Sequence, residues 1–446
     1  MIKLSDEQVN ALEQIKLFLK NKDFAISLCG AGGSGKSLLI SYIIQYLESE
    51  HIKYCLCAPT HKAKTVLEHY THREAMTLHK LLSLSPKLDI FELDFNDLIF
   101  QSKSSKEIPK NGIVICDEGS MINDDLFDLL KQKCEELNTK MLFVSDSKQL
   151  APVKSENKSK VYTLKNQIVL TKIFRQSEKN AILDTLQILR EHPINKFNTS
   201  IGEDGSLLCE SDFKSFFNLC KNGIYNAIKN EDIFEAKITA FKNSRVNNYN
   251  EYLTKAIFND SEEYHKLEIL MGNENLLFNN FQYYNSMDYI IKNVTSIDIN
   301  IPNYHTLPGF KLTLFDTGTK EYGNINIISN TLNDNEYIAL AYTIESLRIF
   351  ALESKTNYQK SKRWKQYFNT INSFASSRDL YYDNRLIRGK SFNKGYAVTV
   401  HKLQGSTLNN IYVDMKDINT CYDSEMKRQL QYVALSRARH NVYIYQ

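Results

Sequence analysis

A chain of 446 residues with 42% hydrophobic and 24% charged side chains exceeds one ordinary core, which predicts two to four domains in a soluble globular protein and excludes a fibrous or disordered one. Its net charge of +3 permits a nucleic-acid partner without indicating one, so any basic surface must be local. No apolar h-region follows the start and no apolar run approaches the ~18 residues of a membrane span, which predicts a cytoplasmic protein with no membrane partner.

At the N-terminus "SDEQ" fits a capping box, with Ser5 at the N-cap and Gln8 at N3 of a helix carrying Val9, Leu12, Ile15 and Leu19. "FAISLCG" predicts a buried strand, "GAGGSGKS" (30–37) a glycine-rich loop, and "KSLLISYIIQYLES" the helix after it. "YCLCAPT", "GIVICDE" and "KMLFVSD" are three more candidate buried strands, with the helical "NDDLFDLLKQKCEEL" before the last. Continuous apolar strands separated by helices imply a parallel sheet covered on both faces. Residues 80–110 break the rhythm and suit an inserted excursion. From about Thr171 a second alternation runs through "SEKNAILDTLQILRE", "AKITAF" and "RVNNYNEYLTKAIF". It dissolves from about 263 to 391, a stretch rich in Asn and Tyr with β-like runs such as "YIIKNVTSI" and "FKLTLF". It resumes with "YAVTVHKLQG", "NIYVDM", a helix near 423–435 and the strand "VYIY". Such a pattern predicts a parallel α/β domain interrupted by a different module. The eight cysteines form no C-x-x-C pair, and Cys29, Cys55, Cys57 and Cys116 sit in strand-like runs, which predicts buried, reduced thiols.

The loop at 30–37 matches G-x-x-x-x-G-K-[ST], so a nucleoside triphosphate is expected there. Gly30, Gly33, Ser34 and Gly35 let successive N–H groups turn toward phosphate oxygens, and the next helix adds its positive end. Lys36 would reach the β- and γ-phosphates and Ser37 would hold Mg²⁺. A magnesium site also needs a carboxylate at the end of a neighbouring buried strand. "IVICDEGSM" offers Asp117 for the metal and Glu118 to orient or deprotonate the attacking water. Gln8 has two readings, the helix cap and recognition of the adenine edge, which need different side-chain directions.

Further along, "CAPTHKAK" (57–64), "ICDEGSM" (115–121), "SDSKQLAPV" (145–153), "LTKIFRQ" (170–176), "AVTVHKLQGST" (397–407) and "YVALSRAR" (432–439) occur in that order. The set resembles the ordered motifs of superfamily 1 helicases, in the 5′→3′ branch (superfamily 1B) that holds the RecD-type enzymes and the phage helicase Dda. It covers nearly the whole chain, from Gln8 to Arg439. With no domain ahead of Gln8 and one strand after the last motif, the layout resembles the Dda type.

The resemblance implies an α/β fold of two RecA-like parallel-sheet domains with an inserted SH3-like β-barrel module and a small pin insertion. The first domain would span 1–171 with the pin at about 80–108, the second 172–262 and 392–446, and the barrel with a helical extension 263–391. It implies ATP and Mg²⁺ as cofactors. Gln149 matches the γ-phosphate sensor, and Arg175 and Arg437 match two arginines reaching the phosphates from the second domain, against the plainer reading of surface salt bridges. Thr60, His61 and His79, with Thr399, His401 and Gln404, match strand-contacting positions, against capping or core hydrogen bonding, which is strongest for His79. Phe91 and Phe95 are candidate pin wedges, and Trp364 is read as packing inside an amphipathic helix. Two departures stand out: Ser145-Asp146 where the family begins Gly-Asp, and "NSMD" (285–288) where its barrel has an Asn-Gly turn. The implied activity is ATP-dependent 5′→3′ movement on single-stranded DNA with duplex unwinding by a monomer. The implied partners are single-stranded DNA, a duplex junction and a single-stranded-DNA-binding protein. The alternatives are an RNA helicase of the same superfamily, or an ATP-switched nucleic-acid-binding protein that does not unwind.

Overall fold

A computed structural model describes residues 3–86, 100–102, 107–146, 148, 149, 159–172 and 180–446. Arg175, Phe91 and Phe95 lie outside the described residues, as do parts of the 145–153 and 170–176 motifs.

The first region holds strands β1 (Ala25–Gly30), β2 (Tyr54–Ala58), β3 (Met76–Thr77), β4 (Leu84–Pro86), β5 (Phe100–Ser102), β6 (Ile113–Cys116), β7 (Lys140–Ser145) and β8 (Gln167–Leu170). Its helices are α1 (Asp6–Lys20), α2 (Lys36–Ser49), α3 (His61–Thr71), α4 (Leu78–Leu81) and α5 (Asp124–Glu136). Six strands form an all-parallel sheet in the order β3-β2-β6-β7-β1-β8. Side chains alternate across a strand, and both faces of this sheet are covered. Ile113 and Ile115 of β6 pack with α1 and α2, while Val114 and Cys116 pack with Phe127, Leu130 and Cys134 of α5. The excursion leaves and returns as a two-stranded antiparallel ribbon, β4 against β5.

The second region adds β9 (Ser200–Ile201), β10 (Ser206–Glu210) and β11 (Ala236–Ala240), with α6 (Ile182–Leu189), α7 (Phe213–Lys229) and α8 (Asn243–Phe258). An insertion follows, with β12 (Ile269–Gly272), β13 (Leu276–Phe278), β14 (Phe281–Tyr283), β15 (Asp288–Asn300), β16 (Thr306–Asp316), β17 (Glu321–Ile328), α9 (Asp334–Leu352), α10 (Asn357–Ile371), β18 (Leu380–Tyr382), β19 (Arg385–Arg388) and β20 (Phe392–Lys394). The chain then rejoins the second region as β21 (Ala397–Thr399), α11 (Val400–Leu403), β22 (Leu408–Asp414), α12 (Met415–Ile418), α13 (Ser424–Ser436) and β23 (Ala438–Tyr445). These complete a second sheet, ordered β21-β11-β22-β23-β10-β9 and parallel except for the edge strand β9. Helices α7 and α8 cover one face, and α6, α11 and α13 the other.

The insertion is built on a five-stranded antiparallel sheet, β17-β16-β15-β12-β20, with a register shift in β15 between Ile291 and Asn293. Its helical part packs α9 and α10 around Trp364, which is 6% exposed and edge-on to Tyr367 at 5.4 Å, so the helix does bury its aromatics. In the 285–288 turn Ser286 takes φ +63°, the left-handed backbone that glycine adopts without strain. The insertion is keyed to the second sheet by a buried ion pair, Lys237 Nζ to Asp288 Oδ1 at 2.8 Å. All eight cysteines are free, six of them buried. Among the described residues no helix is long and apolar enough to cross a membrane.

Candidate nucleotide site and strand path

The phosphate loop begins where β1 ends. Gly33 and Gly35 take φ of +88° and +78°, values that let the loop coil without a Cβ clash. Gly30 is held by proximity, since a Cβ there would meet the Ser34 Oγ at 2.5 Å. Gly35 is the N-cap of α2 and supplies no side-chain cap, so the helix presents bare N–H groups to whatever the loop encloses. Lys36 Nζ donates to the carbonyls of Gly30 at 2.7 Å and Ala31 at 2.9 Å, while Ser34 Oγ is buried without a partner among the described residues. Ser37 stands in the first turn of α2.

Gln8 faces as a cap. Its Oε1 accepts from Ser5 N–H at 3.0 Å, Ser5 Oγ accepts from Gln8 N–H, and the Gln8 amide donates to Ser34 O at 3.3 Å. The side chain is 3% exposed and thus ties α1 to the phosphate loop. Both polar ends of its carboxamide are engaged, each by one bond, and these bonds belong to the capping reading.

β6 delivers Asp117 beside the loop, its N–H bonded to Cys57 O at 3.0 Å. Burial and then the charge of Glu118 push the Asp117 carboxyl up to about 7, with Lys36 and Arg437 opposing. Glu118 sits at φ +52°, a costly backbone for a residue with a side chain and one that recurs at functional sites. From the second sheet, Arg437 reaches across: its Nη1 is 3.9 Å from Glu118 Oε1. It is 3% exposed, and Nε and Nη2 have no partner among the described residues. Gln149 is 6% exposed, with Nε2 3.5 Å from Asp146 Oδ2 and Oε1 without a partner among the described residues. The structure therefore brings Lys36, Asp117, Glu118, Gln149 and Arg437 to one cleft between the two sheets.

Two of the six strand-path candidates, Thr60 and Thr399, each follow or end a strand and cap the next helix. Thr60 follows β2 and caps α3, its Oγ1 accepting from Ala63 N–H at 3.2 Å. Thr399 ends β21 and caps α11 in the same way, accepting from Lys402 N–H at 3.4 Å. The turn that follows α11 meets the start of α3, because a Cβ on Gly405 would lie 3.9 Å from the Ala63 Cβ. His61 stacks on Tyr284 of the insertion, with ring centroids 3.7 Å apart, and burial brings its pKa down to about 4. Burial also lowers His79, on α4, and His401, on α11. Gln404 is 7% exposed with its Nε2 unpartnered among the described residues.

Sequence reasoning missed Tyr284, whose contact joins segments two hundred residues apart. It also passed over Asp146 and Tyr432 as side chains with work of their own, although both lie inside quoted motifs.

Two parallel sheets flanking one phosphate loop, with a cation from the second facing an acidic pair on the first, define a two-domain P-loop ATPase. Residues 3–208 match the AAA domain family and residues 394–445 the UvrD-like helicase C-terminal domain. The chain is similar to the ATP-dependent DNA helicase dda of Enterobacteria phage T4, 25% identical and covering 99% of this chain and 98% of that protein. It is also 25% identical to the RecBCD enzyme subunit RecD of Buchnera aphidicola, over 99% of this chain and 73% of that one. Among solved structures, a Bacteroides Pif1 helicase in complex with ADP-AlF3 and single-stranded DNA aligns over 99% of this chain and 92% of its own, at 15% identity and a TM-score of 0.47. These matches make the chain similar to the superfamily 1-type helicases of the RecD and Dda kind, with its AAA and UvrD-like segments forming the ATPase core.

Proposed function

We propose that the protein is an ATP-driven motor that moves 5′→3′ along single-stranded DNA and displaces the complementary strand. The observation that carries this reading is Arg437, a buried cation with two donors unmet among the described residues, delivered from the second sheet to Glu118 of the first. A guanidinium supplied across a cleft makes hydrolysis depend on closure, which is how chemistry becomes movement.

In this reading the loop and Lys36 bind the phosphates, and Glu118 orients the attacking water. Gln149 and Arg437, with Arg175, meet the γ-phosphate. The Ser37 hydroxyl and Asp117 carboxylate form a hard oxygen donor set suited to Mg²⁺, and a carboxyl held up to about 7 beside a second carboxylate gains most from a cation. That ion would draw charge off the transferred phosphoryl group. Thr60, His61, His79, Thr399, His401 and Gln404 would grip the strand backbone. The antiparallel sheet of 263–391 would be the SH3-like barrel, and the β4–β5 ribbon the base of the pin. Single-stranded DNA and a duplex junction are then the partners. Opening must offset about 1.4 kcal/mol of stacking per base-pair step, a small demand on one ATP.

The test compares unwinding of duplexes bearing a 5′ or a 3′ tail, with ATP turnover stimulated by poly(dT) or poly(U) and Lys36→Ala as the inactive control. Efficient opening of the 5′-tailed substrate and stimulation by poly(dT) are expected. Opening of the 3′-tailed duplex alone would reverse the polarity, preference for poly(U) would shift the track to RNA, and turnover indifferent to nucleic acid would favour a binding switch.

A further inference from the structure

Asp146 lies one residue beyond β7, whose Ser145 pairs with Cys29 beside the phosphate loop. The carboxylate is 1% exposed, and its Oδ2 receives donors from both sides of the cleft: Gly32 N–H of the loop at 2.9 Å and the Tyr432 hydroxyl of α13 at 2.9 Å. The same hydroxyl lies 3.4 Å from Gly32 N. Oδ1 accepts from the Lys148 N–H at 3.1 Å, and Tyr162 donates to the Asp146 carbonyl at 2.9 Å, so the first region fixes this carboxylate. On the other side, Tyr432 is 1% exposed within the second-region core beside Leu430, Val433 and Leu435. Burial and the charge of Asp146 push its phenol well above the ordinary value, so the hydroxyl stays a donor. Five residues on, the same helix ends at its C-cap, Arg437.

We propose that Tyr432 is a positioning residue for ATP hydrolysis: its hydrogen bond to Asp146 pins α13 against the phosphate loop and so sets where Arg437 meets Glu118 and the γ-phosphate. The proposal rests on the cross-cleft role assigned to Arg437 above. At a rise of about 1.5 Å per residue, Arg437 stands roughly 7.5 Å along the helix from the pin, so tilting α13 about that point moves the guanidinium while leaving the loop in place. A phenylalanine ring fills the same volume but leaves Asp146 with donors from the first region alone.

The experiment is a double-mutant cycle on DNA-stimulated ATP turnover with Tyr432→Phe, Arg437→Ala and the pair, and with Asp146→Asn as a second way to weaken the pin. A hydrogen bond to a charged acceptor corresponds to about 10- to 100-fold. Tyr432→Phe is therefore expected to lower kcat by that factor, with KM for ATP changed less than about twofold and thermal unfolding unchanged. In the Arg437→Ala background the same substitution is expected to cost less than about twofold, because the group it positions is gone. Equal costs in both backgrounds, or a loss confined to KM, would overturn the positioning role while leaving the Arg437 reading intact. Near-normal turnover by Arg437→Ala alone would sink both.

Discussion

Replacing Arg437 by alanine removes a cation that is 3% exposed, 3.9 Å from Glu118 Oε1 and left with two donors unpartnered among the described residues. Unit charges about 4 Å apart at an effective dielectric of about 20 interact by roughly 4 kcal/mol. One decade of rate corresponds to about 1.36 kcal/mol. Losing an interaction of about that size with the charge spreading over the transferred phosphoryl group would correspond to roughly a thousandfold, the lower end of the ~10³–10⁵ range for such arginines. Arg437→Ala is expected to lower kcat by about 10³ with KM for ATP within about threefold, since Lys36 and the loop hold the ground-state phosphates. Arg437→Lys keeps the charge but loses the fork, and should fall between.

Stability should not follow activity. A buried guanidinium with two donors unmet among the described residues is a burden on the fold, so the alanine variant should melt no lower than the parent. Steady-state ATP turnover at saturating single-stranded DNA, with thermal melts of the same preparations, reads both. A kcat within about tenfold of the parent would mean the cation is absent from the transition state. A large fall in Tm would mean the arginine serves the fold.

Three further outcomes follow from buried charge. Asp288→Ala strands the Lys237 ammonium, 2% exposed and otherwise bonded to Gly395 O at 2.7 Å; a urea titration should show a loss of about 3–5 kcal/mol, largely recovered by pairing Lys237→Met with Asp288→Leu, and a single-site loss below about 1 kcal/mol refutes it. Burial brings His61 down to about 4 from 6.5, so between those values the folded chain binds fewer protons than the unfolded one, and stability held above pH 6.5 is lost as pH falls through 4. His79 and His401 share that direction, whereas His265, raised by Glu268 and Asp260 against its burial, loses its share as pH rises; His61→Phe should therefore flatten only part of the Tm decline from pH 6.5 to 4.5, and parallel curves would count against the argument. Lys62 is brought down to about 8 by burial, opposed by Asp288 and reinforced by Lys237, Arg437 and Lys402. Strand phosphates would raise it again, so DNA affinity should fall as pH rises from 7.5 to 9, and fluorescence titrations of Lys62→Met should lack that step.

Much of this was legible in the chain because it is local. β1, β6 and β7 are continuous apolar runs, and an apolar run ending in "DE" or "SD" puts those carboxylates at a strand's end whatever surrounds them. The capping box of Ser5 and Gln8 is likewise a four-residue matter. Gln8 was harder, because one carboxamide faces three claims and tertiary contact with Ser34 O decides its direction. The Tyr284–His61 stack and the Lys237–Asp288 pair had no local signal at all, since each joins segments whose spacing is set by the insertion. Asp146 and Tyr432 were visible as motif members, but their partnership belongs to the closed cleft and to neither motif alone.

That closed cleft also ties the chemical step to the strand path through one core. Val400 and Leu403 of α11 pack in the same cluster as Leu430, Tyr432 and Val433 of α13. Close-packed interiors transmit displacement instead of absorbing it. If Arg437 meets the γ-phosphate as proposed, α13 would be held at its C-terminal end and could not tilt without carrying α11, whose following Gly405, at φ +73°, lies against Ala63 at the start of α3. On the proposed reading, the Thr399 end and the Thr60 end would approach or part as the nucleotide is bound or released, and their grips on the backbone would alternate. Bulk added at Gly405 should therefore disturb strand movement more than ATP binding. The contact it would crowd is the one between the turn beside Gln404 and the start of α3, which does not include the phosphate loop.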